Sequence, residues 1–536
     1  MKRTRDHACL LVVCGWLAAG CGDNLTGTDN QPTDPTVIKL ADGPIQGSMT
    51  DTGNGRQFLG IPYAKPPIGD LRWKKPQKPD PWQAVRDTTK FGKRCAQLMS
   101  ATLQNAASND EDCLYLNVWT PMPAPQQSLP VMVWIHGGGN VNGSASEPVP
   151  YVKLGLFYSG QFLAENHGVI VVSMNYRLGV FGFFGHPDLW ADGGSSGNQG
   201  LLDQQMAFEW VQDNIAKFGG DPSNVTIFGE SAGSFDVCMH VAAPSNAGLF
   251  HRAISESGGC TTVLRTKTEA ETAGVAFATD LGCTGPDTLK CLRGKAAADI
   301  MATPDVASSA DFGPEVDTLY MPDQPRTLYD TNKVAKIPYL LGSNTDEGTL
   351  FLPTTKPMTQ GDYLNALKQI FHDANAAAGV AAQYPLANFT NAMPNAATAA
   401  LARVIGDSRL VCPTFDSATR MAKTGASVYM YNFDIPVPDS VAPGLGATHG
   451  SELTFVFGTS PTFAADAAGK AVSDLMQRYW TNFARTGNPN AGADLNWPAF
   501  TESANVRINF GLMPKTVNDF RATECGFWST TYDLQF

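Results

Sequence analysis

The sequence is most constrained by a stretch in which a short apolar run leads directly into a glycine–serine turn. Residues 225–228 read VTIF, a buried-strand pattern, and residues 229–233 read GESAG. A G-x-S-x-G pattern between a strand and a helix is typical of a nucleophile elbow, in which glycines avoid collisions around a strained serine. The N-terminus of the following helix favours negative charge beside that serine. We therefore predict that Ser231 is a nucleophile.

Strand-like runs alternate with helical segments along most of the chain. This spacing predicts a mostly parallel central sheet flanked by helices, an α/β fold. Residues 36–63 hold short extended runs broken by glycine, at 37–40, 44–49 and 58–61, and predict a small N-terminal antiparallel sheet. Residues 373–402 are rich in alanine and predict a helical insertion over the site. The main strand-like runs are residues 130–135, 169–174, 225–228, 253–255, 338–341 and 428–433.

The charge balance bears on the partners of the chain. Its 536 residues carry a formal net charge of −12, with no basic run beyond the first few residues. This argues against a nucleic-acid partner. Large α/β folds with insertions reach this length, so residues 36–536 are expected to form one catalytic domain.

The first residues predict export. Lys2, Arg3 and Arg5 precede an apolar run at residues 8–19, and small residues lead into Cys21. Such a segment is typical of a signal peptide, here residues 1–21, and its end resembles the site at which bacterial lipoproteins are lipidated on cysteine. Ala18 stands where leucine is more usual, so ordinary secretion is the alternative. Residues 22–35 are expected to be a flexible tether to a membrane.

The cysteines also indicate an exported protein. Of 11 cysteines, three lie in residues 1–21, and the other eight are an even number. Disulfides in an oxidising compartment are therefore expected, although the sequence does not fix their connectivity. Cys95 with Cys113, and Cys283 with Cys291, would close short loops.

A serine nucleophile needs a base and an acid that orients the base. In the α/β-hydrolase arrangement the histidine follows both the serine and the acid in the chain. His372 and His449 are therefore the candidates for the base. His449 is preferred because it lies in a glycine-flanked loop after a strong strand, whereas His372 lies in a predicted helix. Asp346 and Glu347 both follow the run at 338–341, and the residue pattern does not choose between them.

Glycines after another strand predict an oxyanion hole. Residues 136–139 read HGGG and follow the run at 130–135. Such a loop directs unobstructed N–H groups at a substrate oxygen. Gly138 and Gly139, with the N–H of Ala232, are the expected donors. A phosphate loop is disfavoured because no Gly-Lys-Ser/Thr sequence follows.

With these residues in hand, the chain resembles the type-B carboxylesterase and cholinesterase family across nearly all of residues 36–536. Similar runs are FGGDPSNVTIFGESAG at 218–233, EDCLYLNV at 111–118, Asn-Tyr-Arg at 175–177 and GNQGLLDQ at 197–204. The resemblance implies an α/β-hydrolase fold and a serine esterase without metal or organic cofactor, acting on a small-molecule ester. It selects Glu347 as the acid and supports His449.

The resemblance also implies disulfides. The implied bridges are Cys95–Cys113, Cys283–Cys291 and Cys412–Cys525. Cys238 and Cys260 have no obvious counterpart and are either buried thiols or a fourth bridge.

Two positions separate the chain from cholinesterases. Asn140 stands where the family often has an aromatic residue, and no tryptophan lies between Cys95 and Cys113. A tryptophan there holds the quaternary ammonium of choline esters in cholinesterases, so choline-ester specificity is not expected. The rival functions are a non-catalytic binding domain and a hydrolase of thioesters, lactones or amides.

Overall fold

The computed structural model describes residues 34–100, 106–124, 126–148, 156–193, 196–304, 306, 311–352, 356–389, 394–460, 462–463, 465–492 and 494–531. The expected signal peptide with Cys21, and the expected tether as far as residue 33, lie outside these residues. The chain divides into two units, Met1–Pro35 and Thr36–Phe536, and all elements below belong to the second. No helix of the described residues is both long and apolar enough to span a membrane.

An eleven-stranded sheet forms the centre of the larger unit. Its strands lie in the spatial order β1-β2-β3-β5-β4-β6-β7-β8-β9-β10-β11. Strands β5 to β10 in this order are parallel, and the pairs at both edges are antiparallel. The strands are β1 Ser48–Met49, β2 Gly55–Pro62, β3 Tyr115–Pro121, β4 Leu129–Ile135, β5 Ile170–Met174, β6 Gly220–Glu230, β7 Arg252–Glu256, β8 Tyr339–Asn344, β9 Val428–Phe433, β10 Val506–Phe510 and β11 Lys515–Asn518.

Helices follow or connect most of these strands, as the alternating pattern predicts. They are α1 Gln161–His167, α2 Gly179–Gly182, α3 Pro187–Gly193, α4 Gln199–Asn214, α5 Ala232–Ala242, α6 Lys267–Asp280, α7 Thr288–Gly294, α8 Ala297–Met301, α9 Pro325–Asp330, α10 Gln360–Phe371, α11 Ala374–Gln383, α12 Ala396–Gly406, α13 Cys412–Lys423, α14 Leu453–Val456, α15 Ala467–Thr486 and α16 Ala522–Thr531. A π-helical turn, Asp407–Val411, joins α12 to α13.

The sheet is buried on both faces, which explains why its central strands are continuously apolar. Along β4, Val131, Val133 and Ile135 belong to one core, which includes buried residues of α4 and α5. Met132 and Trp134 alternate with them and belong to the other core, which includes buried residues of α15. Side chains alternate between the faces of a strand, so a single apolar run supplies both cores.

The predicted N-terminal sheet is only partly antiparallel. Val37–Lys39 and Pro44–Gln46 pair antiparallel, but the third strand, Arg86–Asp87, pairs with Pro44–Gln46 in parallel. The run at 58–61 instead belongs to β2 of the large sheet, where it lies between β1 and β3. Phe58 and Ile61 are fully buried. A strand inside the large sheet keeps these apolar side chains out of water, whereas a small exposed sheet would not.

The alanine-rich segment is helical and packs behind the loop that follows β8. Helices α10, α11, α12 and α16 share a third apolar core. Helix α12 contacts the short 3₁₀ helix Glu347–Phe351, where a side chain at Gly348 would collide with the carbonyl oxygen of Ala402. The insertion therefore supports the position of Glu347.

Four disulfides are present among the described residues. Three join the pairs that the resemblance implies: Cys95–Cys113, Cys283–Cys291 and Cys412–Cys525. The fourth joins Cys238 of α5 to Cys260 in the loop after β7, which resolves the alternative that the sequence left open. These bridges indicate an oxidising compartment.

Removing the Cys412–Cys525 bridge is expected to cost more stability than removing Cys283–Cys291. The two bridges span 113 and 8 residues. Loop-closure entropy then gives losses of about 4 to 5 and about 2 to 3 kcal/mol in the free energy of unfolding. Urea unfolding of the two double Cys→Ser variants, one for each bridge, measures the two losses in the free energy of unfolding and shows which is larger. A larger loss for the 283–291 variant would contradict the prediction.

Candidate active site

Ser231 lies in a tight turn between a strand and a helix, at the end of the middle strand of the sheet, which is the backbone geometry expected of a nucleophile elbow. Ser231 follows β6, has φ 55° and ψ −123°, and precedes the first residue of α5. A side chain at Gly229 or Gly233 would collide with backbone atoms of the opposing glycine or of Ile135. The Ser231 N–H donates to the carbonyl oxygen of Glu256 on the neighbouring strand, at 2.9 Å. Strain at this position is therefore held by the surrounding structure.

The histidine and the glutamate are brought together from two neighbouring strands. Glu347 follows β8, and His449 lies in the loop after β9. His449 Nδ1 lies 2.6 Å from Glu347 Oε2, and Glu347 Oε1 accepts the N–H of Asn344 at 2.7 Å. Parallel strands end at one edge of a sheet, which explains how distant sequence positions meet there.

The alternative residues have other contacts. Asp346 ion-pairs with Arg403 at 3.2 Å and accepts the N–H of Ala447 at 3.1 Å, so it braces the histidine loop. His372 caps the C-terminus of α10 in a left-handed conformation, with φ 51°. Among the described residues, neither side chain forms a hydrogen bond or ion pair with His449 or Glu347.

Ser231 and His449 line one cavity without being hydrogen-bonded to each other. His449 Nε2 lies 3.1 Å from Glu230 Oε1, close enough for an ion pair but not aligned for a hydrogen bond. Among the described residues, His449 Nε2 therefore has no hydrogen-bond partner. Catalytic hydrogen bonds are commonly long or misaligned before substrate binds.

The glycine loop after β4 borders the same cavity. Gly138 and Gly139 have φ of 109° and 66°, a region that favours glycine, and both line the cavity with Ser231. Among the described residues, no backbone acceptor takes the N–H of Gly138, Gly139 or Ala232. Burial lowers the pKa of His136 to about 4, so this ring is neutral and serves packing against Tyr176.

Buried carboxyl groups that the residue pattern did not predict lie near the elbow: Glu230 and Glu452 act on His449, and Glu256 acts on Glu230. Burial raises the pKa of Glu230 to about 7, although His449 opposes this rise. Burial also raises the pKa of Glu452 well above its usual range and that of Glu256 to about 8. The one signal for Glu230 is its place beside Ser231 in the elbow; Glu256 lies on a separate strand.

Neighbouring carboxyl groups raise the pKa of His449. Burial alone would lower the pKa of His449, but Glu230 and then Glu347 outweigh it and raise the pKa to about 9. These carboxylates therefore favour the protonated form of the imidazole in the free protein. A histidine must be neutral to accept a proton, so any reaction in which His449 accepts one should become faster as the pH rises through the pKa of His449.

Replacing Glu230 with glutamine is expected to move the acidic limb of the kcat/KM profile to lower pH. The ionised carboxylate stabilises protonated His449, so its removal lowers the pKa of His449. Opposite charges at such distances change a pKa by about 1 to 3, and we expect the limb to move by about one pH unit or more. Initial rates from pH 5 to 10 measure it, with Glu502→Gln as a surface control. A limb that stays in place or moves upward would contradict the prediction.

The cavity has a volume of about 370 Å³. Its outer walls are mainly apolar and come from the turn after Glu347 and from the loops after β9. No lysine, arginine or tryptophan is among its lining residues in the described part of the chain. The apolar lining includes Phe157, Tyr158, Leu350, Phe351, Ile435, Pro436, Val437, Pro438, Val441 and Phe455. In the same part of the chain, no group of three or more His, Cys, Asp or Glu side chains is placed to hold a metal ion.

Comparison with known proteins agrees with this geometry. The model of the carboxylesterase family matches residues 34–528. The chain belongs to the carboxylesterase family. It is thus an α/β-hydrolase, and members of this family hydrolyse carboxylic esters.

Two relatives of this carboxylesterase-family protein are similar over most of their length. A cholinesterase of Mus musculus is 36% identical over 537 aligned positions, which cover 92% of this chain and 86% of the relative. An acetylcholinesterase of Bungarus fasciatus is 36% identical over 518 positions, which cover 89% and 83%. The resemblance inferred from the signature runs is therefore confirmed.

Proposed function

We propose that the protein is a serine carboxylesterase with Ser231, His449 and Glu347 as its catalytic triad. The observation that carries the proposal is that Ser231 and His449 line one cavity, with the Glu347 carboxylate 2.6 Å behind the histidine. Glu347 fixes the histidine tautomer that carries its proton on Nδ1 and leaves Nε2 free to act as the base.

The reaction then takes two steps. His449 Nε2 turns from Glu230 to Ser231, accepts the hydroxyl proton, and Ser231 Oγ attacks the ester carbonyl. The tetrahedral oxyanion receives hydrogen bonds from the N–H groups of Gly138, Gly139 and Ala232. His449 returns the proton to the leaving alcohol, and a water molecule activated by the same histidine hydrolyses the acyl-enzyme.

The cavity supports a neutral, largely apolar ester as substrate. Its volume is near the lower end of the range for small-molecule pockets, which suits short and medium acyl chains. Glu230 and Asp466 line it without any lysine or arginine in the described part of the chain, so esters that carry a carboxylate or phosphate are disfavoured. The two relatives are named for choline esters, but no tryptophan is found among the described lining residues, which argues against specific capture of a quaternary ammonium.

The test combines hydrolysis with covalent labelling of the mature domain. We expect turnover of p-nitrophenyl acetate and butyrate, and a fluorophosphonate adduct that mass spectrometry places on Ser231. For the alcohol side, butyrylthiocholine is compared with its neutral isostere, 3,3-dimethylbutyl thiobutyrate. Similar kcat/KM values for the two support the substrate class. Folded protein that neither turns over esters nor reacts with the label contradicts the esterase and favours a binding domain.

We further propose that residues 1–21 are a lipoprotein signal peptide, residues 22–35 a tether and residues 36–536 the catalytic domain. The four disulfides support export, and lipidation of Cys21 would hold the enzyme at a membrane. In a bacterial host, Cys21→Ser should abolish palmitate labelling and release the enzyme from the membrane fraction. Unlabelled wild-type protein in the soluble exported fraction would favour ordinary secretion.

A further inference from the structure

The oxyanion loop is tied to its surroundings by the side chain of Asn140, the residue directly after the three glycines. Asn140 is buried and has φ 59°, a left-handed conformation that asparagine tolerates better than most residues. The Tyr176 hydroxyl lies 3.0 Å from Asn140 Oδ1 and 2.8 Å from the carbonyl oxygen of His136. The carbonyl oxygen of Asn140 accepts the N–H of Gly179 at 2.7 Å.

The remaining polar group of Asn140 reaches the nucleophile helix. Asn140 Nδ2 donates to Asp236 Oδ1 at 2.9 Å, and Asp236 lies in α5, which begins directly after Ser231. Asp236 Oδ2 accepts from Gln204 Nε2 at 2.7 Å. Gln204 Oε1 in turn lies 2.6 Å from His240 Nε2, which fixes the orientation of the Gln204 amide.

The carboxyl group of Asp236 is an unusual feature at this depth. Its side chain has 0% exposure, and among the described residues its partners are the two neutral amides of Asn140 and Gln204. Burial raises the pKa of Asp236 to about 7, whereas the hydrogen bonds from Gln204 and Asn140 lower it. A buried carboxylate is costly unless its hydrogen bonds are well made, and a hydrogen bond to an ionised acceptor is shorter and stronger than one between neutral groups.

We propose that Asn140 and Asp236 are positioning residues that hold the oxyanion loop in register with the nucleophile helix. This inference rests on the proposed esterase function. The N–H donors of Gly138 and Gly139 come from the loop after β4, whereas Ser231 and the N–H of Ala232 belong to the elbow. The N–H groups of both segments must lie within about 0.5 Å of their ideal positions around one tetrahedral oxygen to stabilise it fully. The hydrogen bond between Asn140 and Asp236 links the two segments, one residue beyond the glycines and one helical turn beyond the serine.

The pair permits a test by reciprocal exchange. The Asp236→Asn variant replaces one carboxylate oxygen with an amide N–H group. The amide of either Asn140 or Gln204 then points its N–H donor at another donor. In Asn140→Asp, two carboxylates face each other. In the double variant, the carboxylate introduced at position 140 accepts from Tyr176 and from the amide introduced at position 236. The carbonyl oxygen of that amide accepts from Gln204, so the double variant keeps every hydrogen bond and the same charge.

The experiment measures kcat and KM for p-nitrophenyl butyrate at pH 8, with active sites counted by fluorophosphonate labelling. Each single variant should lose about 10- to 100-fold in kcat per labelled site with KM nearly unchanged, since transition-state stabilisation alone is lost. The exchange variant should recover kcat to within about threefold of the wild type. If a single variant does not fold, Asn140→Gly removes the bond without backbone strain and should show the same loss in kcat.

Two results would overturn the proposal. One is a set of single variants whose kcat per labelled site stays within about twofold of the wild type, with losses only in melting temperature. The other is an exchange variant that folds and labels but remains as slow as the single variants. An inactive wild type that does not label would contradict the esterase function itself, which distinguishes the two failures.

Discussion

Ser231→Ala is expected to lower kcat for p-nitrophenyl butyrate by about 10⁴- to 10⁶-fold while KM changes little. The hydroxyl is the only group that the proposed mechanism uses to form the acyl-enzyme, and removing such a nucleophile elsewhere costs losses of this order. Residual rate should come from the oxyanion donors and from substrate binding. Stopped-flow and long-time assays cover the range, and the fluorophosphonate adduct should disappear.

The matched control is Ser234→Ala on the same helix. Ser234 Oγ donates to the carbonyl oxygen of Gly258 at 2.9 Å and does not line the cavity. Its loss should lower stability by about 1 kcal/mol and leave turnover per labelled site nearly unchanged. A Ser231→Ala protein that keeps turnover within about tenfold of the wild type would remove Ser231 from the mechanism.

Glu347→Gln is expected to lower kcat by about 10³- to 10⁴-fold, whereas Asp346→Asn should cost less than about tenfold. The glutamine amide can donate to His449 Nδ1, which favours the tautomer with its proton on the wrong nitrogen. It also removes the negative charge that stabilises the imidazolium in the transition state. Asp346 instead contacts Arg403 and Ala447, so its loss affects mainly the loop.

The two neighbouring residues control for each other, because both variants remove one negative charge from the same turn. kcat, KM and melting temperature of each are measured together. Equal losses in kcat for both variants, or a larger loss for Asp346→Asn, would contradict the proposal that the carboxylate in contact with His449 is the acid of the triad. A loss confined to KM would contradict the role of Glu347 in orienting the base.

Residue patterns predicted the parts of the site that depend on local backbone geometry. The elbow around Ser231 and the loop after β4 need backbone conformations that favour glycine at fixed positions. These positions can therefore be recognised in the sequence. The choice of His449 also followed from chain order and loop context. The carboxylate that contacts His449 did not follow from the pattern, because Asp346 and Glu347 are neighbours and only the packing of their turn decides which of them lies against the histidine. The family resemblance supplied Glu347.

Features formed by residues distant in sequence were harder to predict. The Cys238–Cys260 bridge joins a helix to the loop after another strand, and spacing carries no signal for it. The edge strand β11 and its neighbour β10 were not predicted, since strands near the edge of a sheet need not have the continuous apolar run of the central strands. The hydrogen bond between Asn140 and Asp236 likewise depends on how α5 packs against the glycine loop.

The strand order described above also has a consequence for biosynthesis. The strand before Ser231 enters the compartment in which the exported chain folds about 200 residues before His449, because the chain emerges with its N-terminus first. Strands β7, β8 and β9 must then add in turn to one side of the sheet before Glu347 and His449 can meet. A chain that has only partly emerged therefore holds Ser231 without Glu347 and His449, and on the proposed mechanism it should not yet hydrolyse esters.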